Sequence, residues 1–266
     1  MTRLRLGAPF AIAAVIALFT TLVVASPASA ATVNYVALGD SYSSGVGAGS
    51  ESGSCDRSPN AYPQLWANAH APSTFSFVAC SGATTSDVTA TQLSALSSSA
   101  SLVSISIGGN DVGFASVMED CVLYSTATCV SELNAAETSM RSTLPGLLNT
   151  VYNNIRSHAP NAHVVVLGYP RFYDLAKSST CIGLSTDDRT KINEAADVLD
   201  GVIATAVGSH SNFRFADVRS AFANGHEICD SDAWLHSTNW ANLHVSYHPF
   251  AAGQSGAYLP AFSAAA

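Results

Sequence analysis

The stretch that decides the fold runs from Val33 to Gly45, VNYVALGDSYSSG. Its apolar run, Asn34 to Leu38, reads as a buried β-strand that stops abruptly at Gly39-Asp40-Ser41. Ligands of open α/β sheets bind in the crevice beyond the carboxyl ends of the strands, so Ser41 stands where such a fold would present a reacting hydroxyl. Taken alone, the same pattern also describes an ordinary Ser/Gly turn after a strand. The rest of the chain discriminates between the two.

Working outward, four more short runs carry the β-branched and aromatic composition of strands: Thr74 to Ala79, Leu102 to Ile107, His163 to Leu167 and Phe213 to Ala216. Helical patterns fall between them. Tyr62 to Ala69 follows Pro59, Ser131 to Ser157 is long and broken or kinked near Pro145, and Thr186 to Val207 has helical spacing. Pro249 to Ala266 closes the chain as a last helix with proline near its first turn. Strands alternating with helices predict an α/β fold: a three-layer α/β/α sandwich around a parallel sheet of about five strands. The serine-rich run Ser94 to Ser101 reads as a solvated connector before the third strand.

The first thirty residues read as a secretory leader, with Arg3 and Arg5, an apolar run from Ala8 to Val24, and the cleavage pattern Ala28-Ser29-Ala30. The mature chain is then expected to begin at Ala31 and to keep 236 of the 266 residues, enough for one catalytic domain over 31–266. It would carry 9 basic against 19 acidic side chains, a formal charge of −10. That balance argues against nucleic acid as a partner and against electrostatic capture by an anionic membrane, without excluding a lipid substrate. No membrane anchor is expected once the leader is removed, and a monomer is expected. Six cysteines behind an export leader favour disulfides over thiol chemistry or zinc. Of the fifteen possible connectivities, the least entangled pairs Cys55 with Cys80, Cys121 with Cys129 and Cys181 with Cys229.

Four loops after strand-like runs hold groups suited to chemistry. Gly39-Asp40-Ser41-Tyr42-Ser43-Ser44-Gly45 offers a hydroxyl, though Ser43 departs from the GxSxG elbow. Cys80-Ser81-Gly82-Ala83-Thr84-Thr85 contains a glycine whose N–H is open to a ligand. Ile107-Gly108-Gly109-Asn110-Asp111-Val112-Gly113-Phe114 sets a carboxamide between glycines, able to donate to a developing negative oxygen. Val245-Ser246-Tyr247-His248-Pro249 places an imidazole just before the final helix.

GDSYSSG, CSGATT, IGGND and YHP, in that order, resemble the SGNH, or GDSL-type, hydrolases, and in particular their secreted actinobacterial lipase, esterase and phospholipase A1 branch. The likeness covers nearly all of the mature chain and implies a flavodoxin-like SGNH fold. It also implies Ser41 as nucleophile, His248 as general base, and an oxyanion hole made of the Ser41 and Gly82 N–H groups and the Asn110 side chain. The residue types suit those roles independently. A serine hydroxyl needs a base to become a nucleophile, and the same imidazole can protonate the leaving alcohol.

One departure from the family pattern matters, because Val245 stands where an aspartate three residues before the histidine is common. No side chain from 244 to 247 is acidic. A backbone carbonyl of Val245 or Ser246 is therefore expected to orient the imidazole, giving a Ser-His dyad. Asp230 and Asp232 are distant acids, expected on a solvated loop rather than behind His248.

The rival zinc reading uses His244 and His248, four apart, with His226-Glu227, but Pro249 directly after His248 speaks for a loop and HExxH is absent. No metal or cofactor is implied. Asp40 and Asp111 are expected to brace loops, and Tyr42, Phe114 and Tyr247 either line an acyl groove or pack locally. The expected activity is hydrolysis of acyl-lipid esters through an acyl-enzyme. The alternatives are an esterase for short soluble esters or acetylated carbohydrate, and a non-catalytic exported binding module.

Overall fold

The computed structural model describes residues 32–177 and 181–266, with Met1, Thr2 and Gly7. The leader read over residues 1–30 lies almost wholly outside the described residues. Among those described, five strands form one parallel sheet: β1 Asn34–Ala37, β2 Thr74–Phe77, β3 Leu102–Ile105, β4 His163–Leu167 and β5 Phe213–Ala216. Their order across the sheet is β2-β1-β3-β4-β5, with Val36 registered against Ser76 on one side and Val103 on the other. β1 and β3 are therefore interior and adjacent, and both of their carboxyl ends face the same crevice.

The helices follow from local rules. α1 Ser41–Ser44 is a single turn, and α2 Tyr62–His70 has Pro63 in its first turn. α3 Thr85–Asp87 starts on a Thr84 capping box. α4 Phe114–Leu123 leaves from left-handed Gly113. α5 Thr126–Ser142 and α6 Leu144–His158 replace the single long pattern predicted over 131–157. Pro145 lacks the N–H that would continue the ladder, so the helix ends at Ser142 and a new one starts across Thr143. The Ser125 hydroxyl accepts from the Thr128 N–H and starts α5 five residues earlier than the apolar spacing shows. α7 Thr186–Gly208 begins on a Ser185 capping box. α8 Arg219–Phe222 is short. The final segment runs as α9 Ala251–Gly253, a π turn over Gln254–Tyr258, and α10 Leu259–Ala265. It starts later than predicted because Pro249 is engaged opposite Leu235 in an isolated bridge.

Helices cover both faces of the sheet, as a three-layer α/β/α sandwich requires. On one, Phe262 of α10 stacks on Tyr35 of β1 and meets Tyr62 and Trp66 of α2 edge-on. On the other, α6 buries Leu144, Leu148, Val151, Tyr152 and Ile155, one stripe at helical spacing. Residues 32–266 form one compact unit around a single core cluster. Disulfides join Cys55 to Cys80, Cys121 to Cys129 and Cys181 to Cys229.

Candidate active site

β1 delivers the chain to Gly39, whose φ of +123° and closeness to the Ser106 carbonyl leave no room for a side chain: a Cβ there would lie 2.5 Å from that oxygen. Gln92 grips the same residue, accepting from the Gly39 N–H at 2.8 Å and donating to its carbonyl at 2.9 Å. Asp40 then caps α1 by accepting from the Tyr42 N–H. Its carboxyl also accepts from Ser106 Oγ at 2.6 Å and from the Tyr169 hydroxyl. Burial pushes this carboxyl up to about 6, while the donors from Ser106, Tyr169 and the backbone pull it down. Ser41 is thus the first residue of a helical turn anchored on three sides, and it is 8 % exposed, toward a cavity.

His248 arrives from the far end of the chain. Its Nε2 lies 2.7 Å from Ser41 Oγ, and its Nδ1 lies 3.0 Å from the Ser246 carbonyl. The carbonyl can only accept, so Nδ1 carries the hydrogen and Nε2 is left to accept from the serine hydroxyl. Of the two carbonyls considered, Ser246 faces the ring; that of Val245 takes the backbone N–H of His248 instead. Tyr247, between them, sits at φ +66°, an unusual conformation for a bulky residue. Bonds to its hydroxyl from Tyr173 and with Thr238, and from Tyr42 to its carbonyl, hold it there. Desolvation pushes the His248 imidazole down to about 4, opposed by the Ser246 carbonyl.

Neither distant acid faces this ring. Asp230 pairs with Lys177 and caps the Glu227 N–H, and its side chain is buried rather than on a solvated loop. Asp232 is exposed, with its carboxylate beside His226. Nor do the zinc candidates gather: His244 pairs with Asp56, and His226 stacks on Trp234. Among the described residues no group of three or more His, Cys, Asp or Glu side chains is placed to hold a metal ion.

The remaining loops meet at the same cavity, of about 340 Å³, which Ser41, Gly82, Asn110 and His248 all line. Among the described residues no backbone or side-chain acceptor takes the N–H of Ser41 or Gly82. Asn110 gives one amide hydrogen to the Ala83 carbonyl at 3.0 Å, leaving the other. The Asp111 carboxylate accepts from the Thr85 N–H and hydroxyl, which ties this loop to that of Gly82. Gly82 has φ +77° and open space where a Cβ would point, so backbone conformation rather than crowding asks for glycine. The apolar wall is formed by Phe114, Met118, Val122, Leu123, Phe172 and Leu199, with Tyr42 and Tyr247 beside the histidine.

The GDSL-like lipase/acylhydrolase family model matches residues 37–255, spanning every one of these loops. The chain belongs to this family. As a GDSL-like acylhydrolase it is a carboxylic ester hydrolase. It is similar to Lipase 1 of Streptomyces coelicolor, 59 % identical over 240 residues covering 89 % of this chain and 88 % of that protein. Among solved structures, phospholipase A1 from Streptomyces albidoflavus NA297 superposes with a TM-score of 0.85 at 55 % identity, covering 89 % of this chain and all of that one. The extracellular lipase of Streptomyces rimosus gives 0.84 at 50 % identity, covering 88 % and 100 %.

Two residues of this GDSL-like site escaped the sequence reading. Gln92 lies in the middle of a chain segment with no motif. Tyr169 was findable, because Leu167-Gly168-Tyr169-Pro170 is itself a strand end. Its hydroxyl donates to Asp40 and accepts from the Gly109 N–H at 3.3 Å, joining the Ser41 turn to the Asn110 loop. Its own N–H donates to fully buried Asp200, whose carboxyl burial pushes up to about 8. Asp200 in turn requires Gly168, since a Cβ there would lie 2.6 Å from Asp200 Oδ2.

Proposed function

We propose that this chain is a secreted enzyme that cleaves carboxylic esters of acyl lipids, as a phospholipase A1 or a lipase, through an acyl-enzyme on Ser41. The observation that carries the reading is the 2.7 Å contact between Ser41 Oγ and His248 Nε2, with Nδ1 held by Ser246. In the reaction Ser41 Oγ attacks the ester carbonyl carbon while its proton passes to Nε2. The oxyanion that forms faces the N–H groups of Ser41 and Gly82 and the free amide hydrogen of Asn110, donors worth about 3 to 4 kcal/mol each. Collapse breaks the bond to the alcohol, which leaves with the proton from Nε2. Water then attacks the acyl-enzyme, gives its proton to His248, and the fatty acid departs as Ser41 regains its hydrogen.

A carbonyl on Nδ1 fixes tautomer and orientation as a carboxylate would, but stabilises imidazolium less. The low proton affinity of His248 has a benefit: the base stays neutral in mildly acid solution. The apolar cavity wall supports an acyl chain over the short polar groove that acetylated carbohydrate would need. Secretion is supported by the leader sequence, the three disulfides, and similarity to an extracellular lipase. Among the described residues no helix is long and apolar enough to cross a membrane.

The test is a panel of phosphatidylcholine, triolein, short p-nitrophenyl esters and acetylated xylan, with Ser41→Ala as the blank. Hydrolysis of the first three is expected, and equal rates in the blank would refute the mechanism.

A further inference from the structure

Large apolar side chains are unevenly exposed on this molecule. Within residues 32–266 eight stand out among those described, and five of them gather at one place: Leu123, Tyr124, Ile182, Trp240 and Leu243. Leu123, Trp240 and Leu243 line the mouth of the active-site cavity, while Tyr124, Ile182 and Trp240 line an adjoining hollow that shares Val122, Thr238 and Trp240 with it. Ile182 is 95 % exposed and Trp240 68 %. The other three, Leu147, Leu175 and Phe250, line neither cavity. Singly exposed apolar residues are ordinary, whereas a cluster around a site entrance marks an interaction surface.

The three segments that carry this rim are braced from below. Tyr124 lies inside the short loop closed by Cys121–Cys129, and Ile182 follows Cys181, which is tied to Cys229. Trp240 sits on a turn in which Asn239 Oδ1 accepts from the N–H groups of Ala241 and Asn242, and the Asn239 N–H donates to Ser246 Oγ. Apolar tips fixed in advance lose little freedom when they dock. Segments 121–124, 181–184 and 238–243 contain no charged residue, and the whole chain has a formal charge of −8. A surface of this kind has no means to recruit anionic headgroups, but it can sink Trp, Tyr and Ile into an uncharged or zwitterionic interface.

We propose that the rim of Leu123, Tyr124, Ile182, Trp240 and Leu243 docks this protein on the surface of zwitterionic lipid aggregates, with the cavity mouth facing the acyl chains. The proposal rests on the acyl-lipid reading of the site. Its continuity with that cavity is what selects lipid over a protein partner: Leu123, Trp240 and Leu243 of the rim also line the cavity that would take the acyl chain, while Tyr124 and Ile182 lie outside it in the adjoining hollow.

Docking is measured apart from chemistry with the full chain carrying Ser41→Ala, so that phosphatidylcholine vesicles are not consumed. This protein is expected to sediment with the vesicles, with a blue shift in tryptophan emission that Trp240→Phe removes. Ile182→Asp is expected to weaken partition about tenfold, and Ile182→Asp with Tyr124→Asp about a hundredfold. With Ser41 restored, the double variant should keep kcat/KM for soluble p-nitrophenyl butyrate within about twofold and lose at least about tenfold on phosphatidylcholine vesicles. The proposal is overturned by no partition, by partition indifferent to the double variant, or by tighter binding when phosphatidylglycerol is added. Equal losses on soluble and aggregated substrate, or a lipid-free dimer that the double variant splits, would overturn it too. If the acyl-lipid reading alone is wrong, the wild-type chain will hydrolyse the soluble ester but not phosphatidylcholine in vesicles, while vesicle binding by Ser41→Ala persists.

Discussion

The proposed nucleophile, Ser41, and the proposed base, His248, are held in different ways. Ser41 follows an interior strand and rests on buried side chains from distant places: Gln92, Ser106 and Tyr169 all converge on Gly39 and Asp40. His248 sits on an irregular segment, positioned by a carbonyl only two residues away and by a tyrosine in a left-handed conformation. On one side distant side chains bond the turn itself; on the other, distant hydroxyls of Tyr42 and Tyr173 hold Tyr247, and the local turn there sets the ring. That local turn is what would let the proposed dyad work without an acid: where the common pattern sets an aspartate three residues before the histidine, here the turn at Tyr247 brings the Ser246 carbonyl to Nδ1.

His248→Ala should lower kcat on a p-nitrophenyl ester by about 10⁴-fold or more, and a drop under tenfold would remove the imidazole from the reaction. In the wild-type enzyme, only neutral imidazole can act as base. With its pKa held at about 4, kcat/KM should stay level as pH falls through 6.5 and decline only near 4. An acid limb centred near 6.5 would show that the site does not desolvate the ring. Asn110→Ala should cost about 10²-fold to 10³-fold in kcat with little change in KM.

Smaller effects probe the rigid side. Gln92→Leu strands the N–H and carbonyl of Gly39 in a buried setting, so urea unfolding should show a loss of about 2 to 4 kcal/mol. Tyr169→Phe should lower kcat about tenfold with KM nearly fixed. An unchanged kcat would leave the Tyr169 hydroxyl without a part in placing the Ser41 turn. The least effect is expected from Asp230→Asn and Asp232→Asn, each within about twofold in kcat; a thousandfold loss in either would restore a distant acid to the mechanism.

The five strands were legible because each is a short β-branched or aromatic run ended by glycine, proline or a polar turn, and their predicted and observed positions differ only by trimmed ends. α4 was missed. Phe114–Leu123 mixes Glu119, Asp120 and Cys121 into its apolar face, and its start depends on Gly113 taking a left-handed conformation that no composition reveals. Asp200 escaped for a different reason. It lies in a helical pattern where an acid normally faces water, and only packing against Gly168 and Tyr169 buries it.

By itself the amino-acid order determined which chemical groups stand at strand ends and in what sequence they come: hydroxyl, glycine N–H, carboxamide, imidazole. These are local facts, written in a few neighbouring residues each. Packing in three dimensions settled that Ser246 rather than Val245 faces the ring, that Gln92 and Tyr169 fix the Ser41 turn, and that five apolar tips share one rim. The bonds of Gln92 to Gly39 and of Tyr169 to Asp40 span 53 and 129 positions and depend on how layers pack, and the carbonyl that meets the ring depends on the left-handed turn at Tyr247; no short stretch of chain carries that information.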